Sequence, residues 1–358
     1  MANKPKVIHG GNILSVAQRL GCAVEELTDM SSNLTPLGKV PGLREAIIER
    51  LDEISFLPET GSETLRSCFV EKYGLKDDQL LVGNGTTEFI FGVPAALAPE
   101  RAIIVNPTYS DYHLACEWAS VAIENFTLQR RDNFVIDFDQ LAARLSGNEL
   151  VFICNSNNPT GVLTKSAFLH EFIKTHKNTM FMIDESYLPF VREPSLLEFD
   201  FLDNLLVLNS FSKIYGIPGL RLGFLAASRQ NMARLGEQRK PWGVNRIAQI
   251  AGEFLCHQAD GYVEDVISFL EKERPLFVEQ LSSLPGVEVI PGVANFILCC
   301  LTGEIRAPFV QEKMLAKGIM IRNCDNFSGL DDRYFRISMK SREINNRCVE
   351  VLREILTP

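Results

Sequence analysis

Lys213 stands in the stretch Ser210-Phe211-Ser212-Lys213-Ile214-Tyr215-Gly216-Ile217-Pro218-Gly219-Leu220-Arg221-Leu222-Gly223, directly after the apolar run 205–208. An amine just past the end of a buried strand is poorly hydrated. That favours its neutral, nucleophilic form and suits it to condense with a carbonyl cofactor. Ser210 and Ser212 flank it and Arg221 follows eight positions on; hydroxyls and a guanidinium are groups that bind phosphate. Taken alone, Lys213 reads more simply as a solvated loop lysine. The phosphate-binding set around it shifts the reading towards chemistry.

Four other stretches carry suitable groups. Asn155-Ser156-Asn157-Asn158-Pro159-Thr160-Gly161 follows the run 150–154 and puts amides into a turn, which Asn-Pro and Thr-Gly form readily for structural reasons alone. Its place at the carboxyl end of a parallel strand, where α/β sheets bind ligands, gives Asn158 a second meaning. Asp184, in Met182-Ile183-Asp184-Glu185-Ser186-Tyr187, suits either the N-cap of a following helix or a carboxylate under the ring nitrogen of a heterocycle. The residues leave both open. Gly83-Asn84-Gly85-Thr86-Thr87-Glu88 opens a helical stretch whose free N–H groups and dipole favour a single phosphate. With Glu88 in the sixth position and no clear preceding strand, it is no full dinucleotide fingerprint. Pro107-Thr108-Tyr109 puts an aromatic ring after the run 102–105, to pack or to stack on a ligand.

These pieces need a scaffold. From about residue 83 to 228, short apolar runs at 102–105, 150–154, 180–183, 205–208 and 222–226 alternate with helical stretches at 87–97, 109–120 and 166–174. Pro94 should kink the first of those helices. The alternation predicts an α/β fold, a mostly parallel sheet flanked by helices. Beyond Trp242 a helical stretch, 245–284, breaks near Ala259-Asp260-Gly261. Strands at 287–290, 295–301, 319–322 and 334–339, with helices at 309–317 and 342–356, then predict a smaller α+β domain. The expected organisation is an N-terminal arm, 1–41, packed on the small domain, a large domain, 42–245, and a small C-terminal domain, 246–358.

Composition bounds the function. The 358 residues carry 36 Lys and Arg against 45 Asp and Glu, a formal net charge of −9. Electrostatic capture of nucleic acid or an anionic membrane is therefore not expected. An anionic ligand must be caught by a few placed cations and N–H groups inside a cleft. No window reaches the ~18 apolar residues of a membrane span. Nine scattered cysteines without a CxxC motif suggest buried, reduced thiols, and a cytoplasmic protein is the expectation.

In chain order the five stretches are a glycine-rich turn, an aromatic, Asn-Pro-Thr-Gly, Asp-x-x-Tyr and Ser-x-Ser-Lys-x7-Arg. That order closely resembles the fold-type-I pyridoxal-phosphate enzymes, the class I/II aminotransferases, along essentially the whole chain. Asn157-Asn158-Pro159-Thr160-Gly161 and Tyr215-Gly216-Ile217-Pro218-Gly219-Leu220-Arg221 look like the histidinol-phosphate aminotransferase branch. His9-Gly10-Gly11-Asn12, Ser32-Asn33-Leu34-Thr35-Pro36, Lys240-Pro241-Trp242-Gly243 and Ile321-Arg322-Asn323-Cys324 are similar to threonine-phosphate decarboxylases of cobalamin synthesis. One departure stands out. Where the family has a Tyr-Pro pair whose tyrosine reaches the neighbouring subunit's cofactor phosphate, this chain has Leu57-Pro58, without that hydroxyl.

The resemblance implies a PLP-dependent transferase-like fold, with pyridoxal 5′-phosphate held as an imine on Lys213. Asp184 would keep its ring nitrogen protonated, so that the ring becomes an electron sink. Asn158 and Tyr187 are the implied partners of the ring hydroxyl and Tyr109 of the ring face. Gly85, Thr86, Thr87, Ser210, Ser212 and Arg221 are the implied holders of the phosphate. His9, Asn33, Asn158, Arg322 and Arg336 are the implied substrate contacts. Only the Cα bond perpendicular to the ring overlaps its π system, so orientation selects the reaction. Arg336 matches the arginine that holds the substrate carboxylate in an aminotransferase. Paired with Arg322 on a substrate phosphate, it would instead leave the carboxylate upright to depart as CO2. The expected activity is decarboxylation of O-phosphothreonine or O-phosphoserine by a homodimer with shared active sites. A histidinol-phosphate-type aminotransferase is the other reading.

Overall fold

A computed structural model of the chain describes residues 10–236 and 240–357. Its apolar runs assemble a seven-stranded sheet: β1 (Leu80–Asn84), β2 (Arg101–Asn106), β3 (Ala122–Thr127), β4 (Glu149–Cys154), β5 (Met180–Asp184), β6 (Leu205–Ser210) and β7 (Leu222–Ala227). The spatial order is β1-β7-β6-β5-β4-β2-β3. Strand β7 is antiparallel to both neighbours and every other adjacent pair is parallel. Six strands therefore point one way, and their carboxyl ends share an edge with the start of β7. Strands β4, β6 and β7 are buried at every residue, as in a sheet covered by helices on both faces.

Two strands of this sheet lie outside the runs that apolar patterning predicts. Strand β3 is an edge strand reading Ala-Ile-Glu-Asn-Phe-Thr, with only Phe126 buried, so its pattern is too polar to register. Strand β1 ends in Gly83-Asn84, which has the composition of a turn. The glycine-rich stretch does follow a strand, contrary to expectation, and the helix Thr86–Leu97 starts right after it and runs on through Pro94.

In the C-terminal third, helices Arg246–Gln258 and Asp260–Ser282 meet at Ala259. A four-stranded antiparallel sheet follows in the order Arg322–Asn323, Tyr334–Ser338, Phe296–Leu301, Val287–Val289. The single strand expected at 319–322 is in fact two. Ile319–Met320 pairs in parallel with Thr28–Asp29, while Arg322–Asn323 pairs with Tyr334–Ser338. The arm is tied to this sheet again where Ser338 N donates to Met30 O at 2.8 Å. No helix among the described residues is long and apolar enough to cross a membrane. All nine cysteines are unpaired and seven are buried.

Candidate active site

At the carboxyl edge of β4, β5 and β6 lies a cavity lined by Thr86, Thr87, Tyr109, Asn158, Asp184, Tyr187, Ser210, Ser212, Lys213 and Arg221. Short connections deliver each group. Strand β6 ends at Ser210, whose Oγ accepts from Ser212 N at 3.3 Å and caps the short helix Phe211–Ile214 that carries Lys213. Desolvation lowers the Lys213 amine to about 8; Arg336 and Arg221 push the same way, and Asp29 and Asp184 oppose them. An amine held there has a larger neutral, nucleophilic fraction at neutral pH than an ordinary lysine.

Asp184 closes β5 and is buried. Its Oδ1 accepts from Ser186 N at 2.9 Å and its Oδ2 from Tyr112 Oη at 2.7 Å. The next element is the 3₁₀ turn Leu188–Phe190, with Tyr187 at its N-cap, so Asp184 caps no helix and the N-cap alternative falls. Tyr112, on the helix Asp111–Trp118, stacks on Phe152 at 5.1 Å and meets Tyr109 edge-on at 5.8 Å. Burial and the Asp184 carboxylate push its hydroxyl well above its ordinary range, so it stays a donor.

The loop after β4 is pinned from both sides. Asn157 Nδ2 donates to Pro107 O at 2.8 Å and its Oδ1 accepts from Thr108 Oγ1 at 3.0 Å, locking it to the loop that bears Tyr109. Val293 N donates to Gly161 O at 2.7 Å. A Cβ at Gly292 would lie 2.7 Å from Thr160 O, so only glycine lets the two backbones approach this closely. Asn158 Oδ1 accepts from Arg336 Nη1. At the phosphate-type end, Arg221 Nη2 donates to Thr87 Oγ1 at 3.4 Å. Gly85 has φ +73, and a Cβ there would sit 2.5 Å from Arg221 Nη2.

Arg322 and Arg336 are directly opposite each other on adjacent antiparallel strands, and both are buried. Arg336 Nη2 donates to Ser31 O at 2.9 Å, its guanidinium lies 5.3 Å over the Phe296 ring, and its buried Nε has no hydrogen-bond partner among the described residues. Arg322 Nη2 donates to Asn326 Oδ1 at 2.7 Å, and burial lowers its guanidinium below the ordinary range. Asn33 spans two partners: Nδ2 donates to Tyr187 Oη at 3.1 Å and Oδ1 accepts from Ser338 Oγ at 2.8 Å. Burial pushes the Tyr187 hydroxyl up to about 12. His9 lies outside the described residues; Gly11 N donates to Ser31 Oγ at 2.9 Å, so the chain just after it runs beside the carbonyl that Arg336 grips. Tyr112, Ser338 and Ser31 carry no signal in the sequence that marks them as parts of a site.

The model of the family described as aminotransferase class I and II matches residues 25–352. The chain belongs to that family. It is an enzyme whose cofactor is pyridoxal 5′-phosphate. The cavity fits this group: it offers a poorly hydrated amine, a buried carboxylate, and hydroxyls beside an Arg221 guanidinium that occupies the space a Gly85 side chain would take. Among family members, a threonine-phosphate decarboxylase of Salmonella typhimurium is 34% identical over 98% of this chain and 96% of its own length. A histidinol-phosphate aminotransferase of Moorella thermoacetica is 31% identical over 98% of this chain and 90% of its own. The crystal structure of L-threonine-O-3-phosphate decarboxylase from Porphyromonas gingivalis superposes with a TM-score of 0.84 at 27% identity, covering 92% of this chain and 99% of that one.

Proposed function

We propose that this enzyme decarboxylates an O-phosphorylated amino acid, L-threonine O-3-phosphate or L-serine O-phosphate, to an amino-alcohol phosphate for the cobalamin nucleotide loop. The observation that carries the reading is the cross-strand pair Arg322 and Arg336. Like charges directly opposite on neighbouring strands repel, and burying both adds a desolvation cost. A phosphate dianion between them offsets both terms and accepts charge-assisted hydrogen bonds from each guanidinium. The relatives named threonine-phosphate decarboxylase support the same assignment. The two substrates differ by one methyl group, worth ~1–3 kcal/mol in a pocket, and both are offered.

In this reading Lys213, Asp184, Asn158, Tyr187 and Tyr109 hold the cofactor ring, and Gly85, Thr86, Thr87, Ser210, Ser212 and Arg221 hold its phosphate. The cofactor supplies an electron sink for negative charge at the substrate Cα. Arg322 and Arg336 grip the far end of the substrate and thereby turn its carboxylate perpendicular to the ring plane, the orientation in which CO2 leaves. Lys213 Nζ, the amine in the cavity lining, then delivers a proton to Cα as the general acid.

The same reading includes a homodimer with shared sites. Ile48, Leu51, Ile54, Phe56 and Leu57 are each at least 45% exposed within one short stretch, an apolar strip of the kind that another surface covers. A second function, histidinol-phosphate-type transamination, is favoured by the match of Arg336 to the carboxylate-binding arginine and by the Moorella relative. Incubating the holoenzyme with each phosphoamino acid separates the two. CO2 release with retained cofactor supports decarboxylation, whereas conversion of the cofactor to pyridoxamine phosphate with a keto product overturns it.

A further inference from the structure

The side chain of Asn33 is engaged at both ends. Its Nδ2 donates to Tyr187 Oη at 3.1 Å and its Oδ1 accepts from Ser338 Oγ at 2.8 Å. Asn33, Tyr187 and Ser338 are all buried, Ser338 completely, so water does not replace either bond. The backbone is held as firmly: Asn295 Nδ2 donates to the carbonyls of Asn33 and Leu34 at 3.1 and 3.2 Å, and Thr35 N donates to Lys213 O at 2.9 Å.

We infer that Asn33 is a positioning residue for Tyr187 rather than a substrate ligand, and that Ser338 is the second member of a Ser338–Asn33–Tyr187 chain. The inference rests on the contact between Tyr187 and the cofactor proposed above. A phenol oxygen that accepts an N–H keeps its own proton for another acceptor. Asn33 Nδ2 thus fills the rear of Tyr187 Oη and leaves the O–H to point into the cavity. Ser338 decides which end of the amide faces Tyr187. With a hydroxyl donating to Oδ1, the amide nitrogen is the end that meets Tyr187. Without it the amide can turn over, and its oxygen then draws the Tyr187 proton backwards. Burial keeps that proton on Tyr187 throughout the neutral range.

The test compares Tyr187→Phe, Asn33→Ala, Asn33→Asp and Ser338→Ala with the parent. For each, the pH midpoint of the holoenzyme's visible absorption band, the dissociation constant of pyridoxal 5′-phosphate from the apo-protein, and KM are measured. A donor to the ring oxygen stabilises negative charge there, so its loss raises the proton affinity of the lysine-linked group. The expected result is a rise of the midpoint by about half a unit to one unit in Tyr187→Phe, from the ordinary worth of one hydrogen bond. Asn33→Asp, which offers only acceptors, matches it, and Asn33→Ala and Ser338→Ala move the same way by less. Cofactor dissociation constants rise about two- to tenfold in step.

If Asn33→Ala raises KM while its midpoint and cofactor affinity stay at parental values, and Ser338→Ala is silent, Asn33 is a substrate ligand and the inference is wrong. Should Asn33→Ala fail to fold, Ser338→Ala decides, since it removes a single oxygen. A shift in Tyr187→Phe without one in Ser338→Ala sinks this inference alone, and no shift in Tyr187→Phe sinks the proposed cofactor contact with it. CO2 release by the parent enzyme tests the decarboxylase reading independently.

Discussion

Tyr112 donates its hydroxyl to Asp184 Oδ2 at 2.7 Å, from inside the core and across 72 residues of chain. The bond holds one oxygen of a carboxylate that lines the cavity. Tyr112→Phe keeps the stacking on Phe152 and removes only this donor. A buried carboxylate oxygen that loses its partner costs ~1–3 kcal/mol. The expected outcome is a thermal or urea melt of the apo-protein weakened by that amount, with cofactor affinity lowered about two- to tenfold. A variant with parental affinity would show that the bond is purely a packing device.

Lys213 gives a pH-dependent prediction whose sign follows from its environment. Its folded-state value, about 8, lies below the ordinary 10.5, so between those values the unfolded chain binds more protons than the folded one. Stability of the apo-protein therefore rises with pH through that window and is lost as pH falls back through it. Lys213→Met removes the penalty. Apo Lys213→Met is expected to be more stable than the apo parent at pH 7 by up to about 3 kcal/mol, the difference vanishing by about pH 10.5. Urea melts at pH 7, 9 and 10.5 measure it, and a gap that stays constant across them contradicts the buried-amine account.

Gly85 separates cofactor binding from folding. With φ +73 and ψ 167 it occupies a region that costs a non-glycine residue ~1–3 kcal/mol. The atom its Cβ would strike is the far end of the Arg221 side chain, which can swing away. Gly85→Ala is expected to fold with a modest stability loss and to bind pyridoxal 5′-phosphate at least about tenfold more weakly, since a displaced Arg221 no longer donates to the phosphate. Equilibrium dialysis of the apo-protein gives the answer.

The Arg322 and Arg336 pair predicts a response to a simple anion. In the holoenzyme, whose own phosphate site is filled, millimolar inorganic phosphate is expected to raise the melting temperature by mass action. Arg322→Gln and Arg336→Gln should each abolish that rise and lower kcat/KM for the phosphoamino acid by about 10- to 100-fold, the worth of a hydrogen bond to a charged group. Phosphate protection that persists in both variants would place the anion elsewhere.

The placement of Lys213, Asp184 and Asn158 at one edge of the sheet was legible because each follows a short apolar run, and a buried parallel strand must deliver its next few residues to the carboxyl edge. Strand β3 was hidden by its edge position and β1 by the turn-like Gly83-Asn84 at its end. Periodicity along the chain encodes which face of a local element is buried, and it specifies nothing about which distant polar group will lie opposite. Sheet register put Arg322 against Arg336. Closure of the arm over the second sheet brought Asn33 to Tyr187 across 154 residues and to Ser338 across 305. Residue types and their order along the chain already specify the chemistry on offer, an amine, a carboxylate and a set of phosphate-binding groups at strand ends. The tertiary structure alone decided which of those groups face one another, because hydrogen bonds and charge pairs depend on distances of a few ångströms that only the packed chain defines.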